Sequence, residues 1–597
     1  MRPSRVSSLT ASVLTSVVSV ALGVALVASC GHAAEPAPRP PPVAKRGNVT
    51  ITIVGTNDLH GAIDRLPILA GYLANVRAAR AADGGAVLLI DAGDMFQGTL
   101  ESNLNEGHAV IEAYNALGYT ASTVGNHEFD FGPPGPAVTA QAADDDPRGA
   151  LKARAAEATF PILSANIDDV ESGARIKWPN MPASVTVDAA GVKVGIIGVT
   201  TEATPFTTMP ANFAGLAMVM PAVAVQREAE ALRAAGAELV VVTAHVGSKC
   251  SDLHDPSDLS SCDTSEELFR MADALPRGLV DVIVAGHTHA AVAHRINDID
   301  VIESYSSGRA FGRVDLRINA EGRVVASTIR QPQDLCPLDG DGHPVAAEVC
   351  DPGDYEGRPV VRDAAIQAIV DGAMAPAREL RDEKLGVTEL AEAFPKAYDA
   401  ESAEGNLFVD LMLRARPDVE VAMTNGGGLR ADLPAGPLTY GALYEAMPFD
   451  NRFAIVAMQG KHLRKLISNN LHGSSGIFSW GGLTVDATCS GGELVVTLRD
   501  AKGKPIDDER TVTVATSDFL ASGGDGAIGR LKLPEGSVTE TDVIIRDALA
   551  DLLRAQPVRS KPAPLRPRDY FDPAKPRLSY PKPRPVSCQA AGRRPPP

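Results

Sequence analysis

Four short apolar runs in the first half of this chain lead straight into an Asp or a His. Val49–Val54 leads into Thr56-Asn57-Asp58-Leu59-His60, and Ala86–Ile90 into Asp91-Ala92-Gly93-Asp94. Glu238–Thr243 leads into Ala244-His245, and Asp281–Ala285 into Gly286-His287-Thr288-His289. A fifth segment, Gly125-Asn126-His127-Glu128-Phe129-Asp130, lies between them. Apolar runs of this length without polar alternation read as strands buried on both faces. Ala-rich helical segments such as Leu69–Ala82 and Ala222–Ala235 separate them, which predicts a layered α/β domain. In open α/β sheets, ligands sit beyond the carboxyl ends of the strands. This topology therefore gathers the Asp, Asn and His residues of these five segments at one edge. A lone Asp in a Gly-rich turn is ordinarily a turn former; the order and spacing of the whole set carry the argument. Carboxylates, an amide and imidazoles without thiolates suit a pair of divalent first-row cations, not a thiolate zinc site.

With 597 residues the chain is long enough for two or more domains, and its formal charge of −18 argues against clamping long nucleic acid. Residues 1–29 read as an export signal. Arg2 and Arg5 precede the uncharged stretch Val13–Val27, and Val27-Ala28-Ser29-Cys30 resembles a bacterial lipobox. Lipid on Cys30 would anchor the chain to a membrane of the cell envelope, with 30–48 as a Pro-rich tether. A plain signal peptide cut near Ala34 is the alternative. Six cysteines remain, an even set that suits disulfides in an exported protein. The close pairs Cys250–Cys262 and Cys336–Cys350 are favoured, leaving Cys489 with Cys588. The first domain spans 49–330, closing with the strand-like Val301–Ser304, Arg313–Asn319 and Val324–Arg330. Residues 331–375 form a linker or hinge, with a helical segment near Ala364–Leu385. A second α/β unit occupies 376–555. The Pro-rich basic tail 556–597 reads as a solvated extension pinned through Cys588, with contact to anionic lipid or cell wall as the minority reading.

The motifs D-x-H, G-D, G-N-H-E, a lone His and G-H-x-H, in that order, resemble the calcineurin-like metallophosphoesterases. Gly125–Asp130 is similar to the 5′-nucleotidase / UDP-sugar hydrolase branch. The resemblance implies a four-layer α/β/β/α sandwich followed by a smaller α/β substrate-binding domain. It implies two divalent ions (Zn, Mn, Co or Fe), one held by Asp58, His60, Asp94 and His289, the other by Asp94, Asn126, His245 and His287. It also implies that His127 faces substrate, oriented by Asp130.

Further on, Asn425-Gly426-Gly427-Gly428-Leu429-Arg430 matches the family's N-G-G-G-x-R. Pro448–Asn451 and Phe519–Gly526 resemble its P-F-x-N and F-x-x-x-G-G-D-G segments. The glycines allow close backbone approach to an anion, and Arg430 can fork onto phosphate. In the family the two Phe residues sandwich a nucleobase, while the residues matching Asn451 and Asp525 contact base and ribose. One departure stands out: Tyr398 occupies a position where relatives commonly carry a phosphate-binding Arg.

The expected activity is a 5′-nucleotidase releasing nucleoside and phosphate. A 2′,3′-cyclic nucleotide phosphodiesterase/3′-nucleotidase or UDP-sugar hydrolase is the nearby alternative, and a non-catalytic nucleotide-binding lipoprotein the remote one. Domain rotation about the linker is a further implication. The expected partners are a small nucleotide and, through Cys30, a membrane; no obligate protein partner is evident.

Overall fold

A computed structural model describes residues 48–340, 342–555 and 563–588. The expected signal segment, Cys30 and the tether through residue 47 lie outside the described residues.

The predicted strands form two six-stranded sheets. In the first, the order is Val324–Asp334, Ala310–Ile318, Val49–Thr56, Ala86–Asp91, Ala121–Thr123, Ile162–Leu163. The four from Val49–Thr56 onward run parallel, while Ala310–Ile318 pairs antiparallel, Val49 opposite Ile318. In the second, the order is Ala291–Ile296, Ile299–Ser304, Val282–Ala285, Leu239–His245, Val192–Thr200, Ser184–Ala189. Side chains alternate across a strand, and both faces here are apolar and buried. Leu239 and Val241 meet Ile51, Ile53, Leu88 and Ile90 of the other sheet. Val240 and Val242 turn the other way, onto Ala224 and Val225 of the helix Pro221–Ala234. The opposite outer layer is formed by the helices Leu66–Asp83 and His108–Leu117 packed on Val54 and Leu89. The result is the expected α/β/β/α order. Sealing both sheet faces removes the apolar runs from water, at about 1.5–3 kcal/mol per fully buried large aliphatic side chain. It also leaves the strand ends as the place where polar groups converge.

The helix Ala364–Arg381 starts at Asp363, whose carboxylate accepts from the N–H groups of Ala365 and Ile366 (2.8 and 3.0 Å). Its Ile366 and Val370 belong to the first core and Ala377 to a core of the second domain. A boundary at 375 falls inside this helix, so its packed part is a bridge seated in both domains. The strand Val324–Asp334 likewise extends past residue 330.

The second domain centres on a five-stranded sheet ordered Phe478–Gly481, Val421–Asn425, Thr511–Ser517, Arg452–Gln459, Val538–Ile544. Disulfides join Cys250–Cys262, Cys336–Cys350 and Cys489–Cys588, the pairing expected from the sequence.

The reading of the tail as a solvated extension fails for residues 563–588. Leu578–Ser579 adds a parallel strand beside Leu483–Ser490. Arg577 forks onto Asp410 (2.7 and 2.8 Å), and Val586 is buried. A segment too polar to build its own core can still order by borrowing one. Here Tyr570 and Phe571 pack on the second domain, and Glu401 accepts from the N–H groups of Arg577 and Leu578.

Candidate metal centre and substrate cavity

The seven candidate ligands meet at the carboxyl ends of the strands, and the backbone is bent to bring them there. Asp58, His60, Asp94, His287 and His289 all have positive φ, between 51° and 82°. Non-glycine residues rarely adopt this region, and such strain gathers at functional sites. Gly125 shows how closely the loops approach. A Cβ added there would lie 2.2 Å from Asp94 Oδ1 and 2.5 Å from Asp94 N.

Two groups of donors result, Asp58/His60/His289 and Asp94/His245/His287. His60 Nε2 lies 3.0 Å from His289 Nε2. His245 Nε2 lies 3.0 Å from Asn126 Oδ1 and 3.3 Å from His287 Nδ1. The tautomers follow from the other ring nitrogens: Nδ1 of His60 donates to Gln97 O (2.7 Å) and Nδ1 of His245 to Ala92 O (2.8 Å). In the neutral ring each Nε2 then carries the lone pair and points it inward, as a metal ligand requires.

The carboxylates divide their work in the same way. Asp58 Oδ2 accepts from Asn57 Nδ2 and His287 N (2.7 and 2.8 Å), whereas its buried Oδ1 has no hydrogen-bond partner. Asp94 Oδ1 accepts from His127 N (2.9 Å). Its Oδ2 lies 3.1 Å from His245 Nε2 and 3.8 Å from His60 Nε2, between the two groups.

Burial pushes the Asp58 carboxyl up, but the His289 and His245 imidazoles outweigh it and hold it below the usual carboxylate range. Burial is likewise outweighed at Asp94 by His245 and His127. In turn His245, though lowered by burial, is pushed up to about 10, chiefly by Asp94. Two buried carboxylates with imidazole nitrogens converging on them (Asp58 Oδ1 lies 3.4 Å from His289 Nε2) fit two divalent cations sharing Asp94, which would displace the proton that His245 otherwise holds.

His127 stands beside these donors, its ring 5.4 Å from that of His60. Its Nδ1 lies 2.5 Å from Asp130 Oδ2, and Asp130 Oδ1 accepts from Thr208 Oγ1 (2.8 Å). Burial pulls the imidazole down, but Asp130 and Asp94 outweigh it and the pKa rises.

Two buried acids absent from the sequence reading of the site hold the loops. Glu128 accepts from the N–H groups of Asp94, Met95 and Gly125 (3.0, 2.6 and 2.6 Å). Glu303 accepts from Ser248 N, Thr288 N and Thr288 Oγ1 (3.1, 3.3 and 2.5 Å), fixing the loop that carries His287 and His289. Glu128 lies within a quoted motif. The signal for Glu303 is only a charged residue inside an apolar strand.

The second domain sits over this centre. Gln97 Nε2 donates to Pro448 O (3.0 Å), and Arg430 Nη2 reaches within 3.3 Å of His60 Nε2. Between the domains lies a cavity of about 1200 Å³, lined from the first by Asp94, Asn126, His127, Asp130, His287 and His289. From the second, all seven sequence-predicted residues line it: Asn425, Gly428, Arg430, Phe449, Asn451, Phe519 and Asp525. Phe449 and Phe519 are half-buried, and Phe519 also packs against a core of the second domain. The Phe449 ring lies 5.5 Å from that of His127. Asn425 Nδ2 donates to Asp525 Oδ2 (2.7 Å). Tyr398 also lines the cavity, 56% exposed. Lys396 donates from Nζ to Arg430 O (2.7 Å).

The calcineurin-like phosphoesterase model matches residues 51–291, and the 5′-nucleotidase C-terminal domain model matches 384–532. Endonuclease YhcR of Bacillus subtilis (strain 168) is 26% identical over 502 residues, 80% of this chain but 38% of that protein. Protein UshA of Yersinia enterocolitica is 25% identical over 512 residues, 80% of this chain and 86% of the relative. The crystal structure of a 5′-nucleotidase precursor from Thermus thermophilus aligns with a TM-score of 0.66 at 26% identity, covering 85% of this chain and 96% of that one. With a calcineurin-like phosphoesterase domain, a 5′-nucleotidase C-terminal domain and a candidate two-metal centre at their junction, the chain belongs to the 5′-nucleotidase family of metallophosphoesterases.

Proposed function

We propose that this protein is a two-metal nucleotide phosphohydrolase, most simply a 5′-nucleotidase that releases nucleoside and phosphate. The observation that carries this reading is the pair of donor groups sharing Asp94, with His127 beside them and Arg430 above. Asp58, His60 and His289 would hold one ion, Asn126, His245 and His287 the other, and Asp94 both. When bound, such a pair neutralises phosphoryl oxygens and makes a hydroxide nucleophile available near neutral pH.

The chain's own residues supply the rest. Arg430 faces the same centre from the second domain, where its guanidinium can bind a phosphoryl oxygen. His127, its Nδ1 engaged by Asp130, offers Nε2 to donate a proton to the leaving alkoxide. Phe449 and Phe519 present half-buried rings to the cavity for stacking on a base, and Asn425, Asn451 and Asp525 add polar contacts. Gly428 keeps the loop before Arg430 free of side chain.

Tyr398 favours a second reading, a 2′,3′-cyclic nucleotide phosphodiesterase/3′-nucleotidase or UDP-sugar hydrolase, because its exposed ring replaces a phosphate-binding Arg. Three disulfides are consistent with export, and the lipobox-like segment supports lipid attachment at Cys30. Fatty-acid labelling that persists in Cys30→Ala would refute that attachment.

Product analysis of AMP, 3′-AMP, 2′,3′-cyclic AMP, ATP and UDP-glucose incubated with Mn²⁺, Co²⁺ or Zn²⁺ tests the activity. Cleavage of the 5′-nucleotides AMP and ATP in preference to the other three, with loss of turnover in chelator, is the expected result. Nucleotide binding without turnover under any of these metals would leave only a binding protein.

A further inference from the structure

The C-terminal segment does more than cover the second domain. It places a guanidinium in the substrate cavity. Arg584 and Pro585 line that cavity together with Tyr398, Gly427, Ser474 and Ser475. Arg584 sits between two fixed points, the strand Leu578–Ser579 and the pair Val586 and Cys588. Val586 N donates to Leu471 O (2.8 Å), and Cys588 is bonded to Cys489. Its side chain is held as well, donating from Nε to Asn470 O (3.2 Å) and from Nη2 to Ser475 O. A half-buried Arg fixed by main-chain carbonyls loses little further entropy when it meets an anion. The guanidinium neighbours Tyr398 and Asp399, and the Tyr398 phenol neighbours Arg430 as well. A Cβ added at Gly427 would be 3.5 Å from the Tyr398 ring, so this ring lies against the glycine loop that carries Arg430. Arg430 is committed to the metal centre by its 3.3 Å approach to His60. Arg584 offers a second, separate positive charge within the same cavity.

We propose that Arg584 is a specificity-determining residue, binding an additional phosphate of the substrate and favouring nucleotides with two or more phosphates over monophosphates. The proposal rests on the nucleotide reading given above. It is tested on the full-length oxidised protein with Mn²⁺, comparing ADP with AMP for the wild type, Arg584→Gln and Arg584→Lys. In Arg584→Gln the ratio of the ADP to the AMP KM should rise about tenfold, as loss of one charge-assisted contact predicts, with partial recovery in Arg584→Lys. Equal weakening of both substrates would mean that Arg584 only supports the Ser475 loop, and no change would mean that it meets no substrate; either overturns the proposal. Calorimetric binding of ADP and AMP in chelator keeps the test separate from catalysis. A wild type that binds both without hydrolysing either defeats the hydrolase reading alone. Binding that Arg584→Gln weakens selectively for ADP still supports the subsite, and unselective or absent wild-type binding overturns it.

Discussion

His127 serves two purposes through different atoms, which allows them to be separated by mutation. Its backbone N–H binds Asp94 Oδ1 (2.9 Å), holding a candidate bridging ligand, while its ring engages Asp130 and faces the cavity. His127→Ala removes only the ring. It should keep two metal equivalents per chain, read by elemental analysis, and lose about 10²- to 10⁴-fold in kcat, the usual contribution of a positioned acid–base group. Retained turnover would remove His127 from the mechanism. Gly125→Ala is its converse. The added methyl must displace Asp94 main-chain and carboxylate atoms 2.2–2.5 Å away, so metal content itself should fall while the second domain, with its own cores, stays folded. Together the two variants distinguish loss of chemistry from loss of the centre.

The helix Ala403–Ala415 begins with Ser402, whose Oγ accepts from Gly405 N (3.0 Å). In its first turn it buries Glu404 completely, with neither carboxyl oxygen hydrogen-bonded. Burial, reinforced by Asp432 and opposed by Lys396, pushes this carboxyl from near 4.5 up to about 9. Folding thus raises the pKa. The folded protein keeps a proton that the unfolded chain has released, and stability from this group is intact below pH 4.5 and drains away as the pH climbs toward 9. Glu404→Gln removes that titration. Its stability should gain on the wild type as pH rises from 5 to 9, by on the order of 2 kcal/mol at neutrality, read as a widening gap between the two melting temperatures. Parallel melting curves would show that Glu404 does not titrate in this window.

The residues of the site differ in how much of their role a sequence displays. Strand-end ligands such as Asp58 and His245 are legible because a doubly buried strand is a continuous apolar run and its end is marked by the first polar residue. Glu303 was not, because its partners Ser248 and Thr288 become neighbours only when two strands and two loops assemble. Arg584 was hidden by composition. Proline and basic residues predict solvation only when no neighbouring core receives the segment, and here Tyr570, Phe571 and Val586 find one. Glu404 looked like an ordinary first-turn acid, since burial depends on what later packs over the helix.

The candidate centre draws Asp58, Asp94 and Asn126 from loops of the first sheet, and His245, His287 and His289 from the second. Bound cations would therefore join the two halves of the sandwich, in addition to neutralising Asp58 and Asp94. Binding to the folded state alone stabilises by RT ln(1 + [L]/Kd), about 4 kcal/mol at a thousandfold excess over Kd. The second domain has its own cores and a disulfide, Cys489–Cys588, and among the described residues it contributes no ligand to either donor group. Chelation should accordingly lower one calorimetric transition, that of the first domain, and leave the second nearly in place. Readdition of Mn²⁺ should restore the lowered transition in proportion to log concentration. Arg430 refines the expectation. Its charge lies close to His60, so removing the cations leaves it facing Asp58 and Asp94, which cushions part of the carboxylate repulsion. Arg430→Ala should then widen the melting difference between metal-loaded and chelated protein. A difference that stays constant in Arg430→Ala would show that the second domain does not feel the charge of the centre.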